Sequence, residues 1–137
     1  MRSLIAVFCL AGSALTAWEF TPTPVCTFRN QTPVAVEVTF DGQLYAIHLT
    51  RAGGWPDAPI FSLQFDGPAG LRISTDRHRI TGDTLTVTDT GFGNVLNGFE
   101  FNDTATALIG DLAVPLDLDK AAPAVRAFRD CLVLPTV

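Results

Sequence analysis

The densest polar cluster in the chain is Ser74-Thr75-Asp76-Arg77-His78-Arg79, in which a histidine two residues from an aspartate supplies the parts of a general base and its orienting carboxylate. Such a pair would serve a small hydrolase or lyase. The same residue types also meet the needs of a strand connection: hydroxyl and carboxylate oxygens accept from nearby backbone N–H groups, and an Arg–Asp pair holds the turn. That second reading needs fewer coincidences. His78 with Asp76 therefore stands as the enzymatic alternative, and Asp76, Arg77 and His78 together as a candidate recognition loop.

Other chemistries lack their parts. A serine triad needs a nucleophile on a strained turn, and the chain has no Gly-x-Ser-x-Gly and only two histidines, His48 and His78. No His-x-His, His-x-x-x-His or Cys-x-x-Cys spacing occurs, so no metal site is expected. The single lysine, Lys120, follows no glycine-rich loop, and neither nucleotide-binding glycine pattern is present. No cofactor is expected.

Two further stretches are distinctive. In Thr88-Asp89-Thr90-Gly91-Phe92-Gly93-Asn94-Val95-Leu96-Asn97-Gly98, glycines on either side of one aromatic residue permit a sharp turn or a close backbone approach. Phe92 and Asn94 are its candidate contacts, either as a binding loop or as a hydrophobic cap over the end of a sheet. The loop 51–59 carries Gly53, Gly54, Pro56 and Pro59 around Trp55, which reads as an irregular surface crossing with the indole tucked in. Trp55 joins the candidate binding residues.

The elements that must position these residues read as strands. Between Val25 and Leu116, β-branched and aromatic residues dominate, punctuated every 8 to 12 residues by Gly, Pro, Asp or Asn. Val34, Val36, Val38 and Phe40 alternate with Ala35, Glu37 and Thr39, and Asp41-Gly42 closes a hairpin into 44–49. Further strands are predicted at 60–65, 71–74, 77–80, 84–88, 99–101, 104–109 and 112–116, with Gly82-Asp83 turning 77–88 into one hairpin. The period then changes. Ala121, Ala124, Val125, Phe128 and Leu132 recur at three and four, with Asp119 as the expected N-cap and Pro123 in the first turn. The expected fold is mainly β: an antiparallel β-sandwich or partly open barrel with one short C-terminal α-helix.

Residues 1–17 read as a cleavable export signal, with Arg2 in the n-region, an apolar stretch from Leu4 to Ala11, and Ser13-Ala14-Leu15-Thr16-Ala17 as the cleavage region. That apolar stretch is well short of the ~20 residues a membrane-spanning helix requires. The remainder, 18–137, is the length of one domain. It keeps two cysteines, Cys26 in the expected first strand and Cys131 near the end of the helix, which are expected to pair in an oxidising compartment and tie the helix back to the edge of the sheet. Of nine basic residues one, Arg2, leaves with the leader, so fourteen acidic side chains face eight basic ones. That balance opposes binding to nucleic acid or to anionic membrane surfaces, both of which need a clustered positive face.

Trp18-Glu19-Phe20, Pro24-Val25-Cys26, Ser74-Thr75-Asp76-Arg77-His78, Gly91-Phe92-Gly93-Asn94-Val95-Leu96 and Ala124-Val125-Arg126-Ala127-Phe128-Arg129-Asp130-Cys131, in this order, resemble a family of short exported proteins of alphaproteobacterial type. Some of its members bear the name of an excinuclease ABC component, a repair enzyme that requires a Walker A loop and a far longer chain than this one. The closing turn, alanine-rich helix and terminal cysteine are also similar to invasion-associated locus B proteins. That likeness implies a periplasmic β-rich fold and carries over no active-site residues. The resulting expectation is a non-enzymatic periplasmic or secreted β-sandwich that binds a protein partner or envelope component through its loops, with no membrane span after the leader is removed.

Overall fold

The computed structural model describes residues 18–31 and 33–133. The predicted leader at 1–17 lies outside them. Among the described residues the chain forms ten strands and two helices. One sheet has six strands, in the order β1 (Trp18–Thr21), β2 (Cys26–Asn30), β3 (Ala35–Phe40), β4 (Tyr45–Thr50), β8 (Thr84–Asp89) and β7 (Arg79–Thr81). The other has four, in the order β10 (Leu112–Asp117), β9 (Thr104–Ile109), β5 (Phe61–Asp66) and β6 (Leu71–Thr75). Every pairing is antiparallel and neither sheet closes on itself, so the fold is a two-sheet sandwich rather than a barrel.

Alternation along each strand becomes a row across each sheet. Phe20, Phe28, Val38, Ile47 and Val87 stand in register on the inner face of the first sheet, and Leu63 stands between Ile73 and Ala107 on that of the second. The outer face carries the complementary row, in which Arg29 pairs with Glu37 at 3.1 Å and His48 Nδ1 lies 2.9 Å from Thr86 Oγ1. A one-residue slip would send the Val and Ile set into water, each at a cost of about 1.5 to 3 kcal/mol, so register is strongly specified. Pro115, which has no N–H to donate, is confined to the edge strand β10. The Gly82 turn, with φ 58°, closes the β7–β8 hairpin as the sequence predicts.

Three expectations need correction. Residues 99–101, predicted as a strand, belong to helix α1 (Gly93–Phe101). Phe99 and Phe101 satisfy a two-residue period, yet Leu96 and Phe99 are the buried pair at a helical spacing of three, and Phe101 is exposed. Cys26 does not lie in the first strand: β1 precedes it, and the Trp18 indole donates to the Asp117 carbonyl at 2.8 Å, joining the first sheet to the second. Asp119 does not cap helix α2 (Ala121–Leu132) either. The Ala121 N–H bonds the Leu118 carbonyl, which places the N-cap at Lys120 in a left-handed conformation with no side-chain cap.

The helices fill the gap between the sheets. Helix α2 buries Ala121, Ala124, Val125 and Phe128, and Cys131 near its end forms a disulfide with Cys26, with the Cα atoms 6.1 Å apart. Arg129 reaches back to α1, 2.9 Å from Glu100 and 2.7 Å from Asn97. Gly98 has a packing reason to be glycine, because a Cβ there would stand 2.4 Å from the Phe65 ring. Asn102, the C-cap of α1, donates to the carbonyls of Gly98 and Ala69 and accepts from the Ala69 N–H, fixing α1 on the β5–β6 turn.

Candidate functional site

Where β6 faces β4 and β8, the inner faces do not meet, and a cleft of about 500 Å³ remains. Its floor is apolar: Ile47 from β4, Phe61 and Leu63 from β5, Ile73 from β6 and Val87 from β8. Alternation in the strands turns these residues inward, and their side chains are too short to span the gap. Phe92 and Val95, at the start of α1, form one wall. The rim is polar, carrying Ser74, Thr75, Arg77, Asp89 and Asn94.

Two local hydrogen bonds hold the charged part of that rim. The Arg77 N–H donates to Thr75 Oγ1 at 3.0 Å, and the Thr90 N–H donates to Asp89 Oδ1 at 2.6 Å. Arg77 Nη2 then lies 3.4 Å from Asp89 Oδ2, between side chains 71% and 42% exposed. At that exposure the pair contributes about 0 to 1 kcal/mol, so its partners are free to exchange at little cost.

Phe92 is 4% exposed and stacks on Tyr45, with ring centroids 5.2 Å apart and planes 21° from parallel. Tyr45 continues the stack to Phe40 at 4.4 Å. The ring thus packs the core on one side and lines the cleft on the other. The flanking glycines act differently from expectation. Neither Gly91 nor Gly93 has a positive φ, and a Cβ on either would meet nothing within 4 Å. Phe92 turns inward because Tyr45 offers it a face.

The structure gathers Arg77, Phe92 and Asn94 around this cleft and leaves the remaining candidates elsewhere. Trp55 is buried, and its Nε1–H is shared between the carbonyls of Leu49 and Asp83, each at 3.0 Å. The Arg51 guanidinium lies over the indole, 5.6 Å from its centroid, and also donates to the Gly54 carbonyl. With its donor spent and its face covered, Trp55 anchors the 51–60 crossing. His78 borders a separate depression with Trp55, Asp57 and Ile80. Its Nε2 lies 2.9 Å from the Ala58 carbonyl, which can only accept, so Nε2–H donates there. Its Nδ1 is buried without a protein partner. Asp76 is exposed and makes no hydrogen bond to His78, so the two are not assembled as a base and its orienting carboxylate.

Asp89 and the floor residues Ile73 and Val87 were not singled out from the sequence. A signal for Asp89 did exist. The β7–β8 register pairs Arg79 with Thr86, and extending it two residues outward sets Arg77 opposite Thr88, one residue from Asp89. For the floor residues no local signal exists, because they look like any other inward-facing strand residues. Among the described residues no group of three or more His, Cys, Asp or Glu is arranged to hold a metal ion.

Away from the cleft, Asp41 accepts from the N–H groups of Leu44 and Gln43, at 2.8 and 2.9 Å, and these bonds hold its carboxyl below the usual aspartate value. This explains the firm hairpin turn between β3 and β4. Comparison of the chain with protein-family models, with curated proteins and with solved structures returns no match.

Proposed function

We propose that this protein is a non-enzymatic binding module of the periplasm or the extracellular space, and that it takes up a small ligand of the cell envelope compartment, one that carries an apolar group, in the cleft between β6 and β8. The cleft carries the reading. A cavity of about 500 Å³ with an apolar floor and a few polar groups at its mouth has the size and lining of small-ligand sites, which run from about 300 to 1,000 Å³. Ile73, Val87 and Val95 stay partly exposed in the cleft, and a ligand's apolar group would cover them. Export is supported by the leader pattern at 1–17, and the Cys26–Cys131 disulfide fits an oxidising compartment. Among the described residues, no helix is long and apolar enough to cross a membrane.

The test is capture from envelope extract. The oxidised protein, purified under conditions that keep small ligands bound, is examined by native mass spectrometry beside Ile73→Arg and Val95→Arg, which place a charged chain in the cleft. Mass corresponding to a ligand on the unaltered protein, and its loss from both variants at unchanged denaturation midpoints, is the expected result. Equal loading of variants and parent, or no loading at all, overturns the proposal.

A further inference from the structure

We infer that the mouth of the cleft is built for a zwitterion, and that the ligand class is the free α-amino acid with a large apolar side chain. This inference rests on the reading of the cleft as the binding site and adds the chemistry of its occupant. The mouth holds one cation and one anion, Arg77 and Asp89, 3.4 Å apart. Thr75 fixes the backbone of Arg77 and leaves its guanidinium free to turn, and Thr90 holds Oδ1 of Asp89 and leaves Oδ2 to face Arg77.

A ligand bearing a single anion would pair with Arg77 and lie against Asp89, which repels it. A ligand bearing a single cation meets the converse problem. A ligand carrying both charges satisfies both residues, exchanging one exposed ion pair for two. The spacing narrows the choice further. In an α-amino acid the ammonium and carboxylate flank one carbon and lie roughly 3 Å apart, whereas each added residue of an extended peptide moves its termini apart by about 3.3 to 3.6 Å. The rim pair matches the former. Below it, Phe61, Leu63, Ile73 and Val87 offer an apolar floor that only a large apolar side chain would cover, and Asn94 stands at the rim as a neutral hydrogen-bonding group.

Calorimetry with leucine, phenylalanine and tryptophan, combined with amide shift mapping, tests the inference. At least one of the three is expected to bind and to shift the amides of Ile73, Val87 and Val95. N-acetyltryptophan, which lacks the ammonium, and tryptamine, which lacks the carboxylate, should each bind at least about tenfold more weakly than tryptophan, as should Arg77→Ala and Asp89→Asn toward the best ligand. Alanine should not bind measurably. Either single-charge analogue binding in the cleft as tightly as tryptophan overturns the zwitterion and leaves the cleft reading intact. If none of the amino acids shifts the cleft while the envelope extract still loads it, this inference alone falls. If neither loads it, both fall.

Discussion

Two regions of the sandwich receive the same kind of residue from their strands and end in opposite states. Around α1 and α2, Trp18, Phe28, Phe65, Phe99 and Phe128 interlock, with centroids 5.0 Å apart for Phe28–Phe128 and 5.2 Å for Phe65–Phe99, mostly edge to face. Aromatic rings reach across the gap, and Gly98 lets α1 settle directly onto Phe65. At the β6 and β8 side the strands present Ile47, Leu63, Ile73 and Val87, α1 reaches them only through Phe92 and Val95 at its start, and a cleft remains. Alternation therefore supplies an apolar interior everywhere, while the reach of side chains and helices decides where that interior is closed. The candidate site is the place where closure stops.

Each difference between the two regions has a measurable consequence. Phe99 is 1% exposed and touches three other rings, so Phe99→Ala is expected to cost about 3 to 5 kcal/mol by chemical denaturation, more than any single truncation in the cleft floor. An equal cost at Val87→Ala would show the cleft to be as tightly packed as the aromatic region. Next, replacing both Cys26 and Cys131 by serine removes a link that closes a loop over a separation of 105 residues, and a loss of about 2 to 5 kcal/mol is expected. A variant with an unchanged midpoint would mean that α2 is held by Phe128 and Arg129 alone.

Gly98→Ala adds one methyl group where none fits and should destabilise by about 1 to 3 kcal/mol, although the same change in an exposed helix stabilises by about 1 kcal/mol. Ile73→Phe adds more volume but adds it to the cleft, and a shift within about 1 kcal/mol is expected together with loss of ligand. If the two changes cost the same, the contrast between filled and open regions is wrong. The smallest effect lies at the β3–β4 turn. Because backbone donors lower the Asp41 carboxyl below 3.8, its contribution is fully present above that value and is lost as pH falls through the folded-state value. Asp41→Ala should flatten the acid limb of stability against pH slightly, and an unaltered limb would show that the turn draws nothing from the carboxylate.

Much of the fold was legible in the residues themselves. Strands 104–109 and 112–116 were legible because period-two alternation is local, and the Asp41-Gly42 turn because its chemistry lies within four residues. The 99–101 segment was not: two phenylalanines one residue apart fit either period, and the choice for helix is made by Phe65, Trp18 and Phe28, all distant in sequence. Of the candidate site, Arg77, Phe92 and Asn94 were legible as turn and loop residues. The separation of Trp55 and His78 from them was hidden, since it depends on the carbonyls of Leu49, Asp83 and Ala58, which no side-chain pattern reveals.

By itself the sequence determined antiparallel alternating strands, as a sandwich or a partly open barrel, and a C-terminal amphipathic helix, because each follows from a short period, and, with residues 1–17 read as a leader that takes Cys9 away, the expected partnership of Cys26 with Cys131. Only the tertiary structure decided that α1 is a helix, that β1 and β10 are joined through the Trp18 indole, and that a cleft stays open with Arg77 and Asp89 at its mouth. Those outcomes depend on how far side chains on opposite sheets reach toward one another. That distance is a property of the packed layers and is written in no single strand.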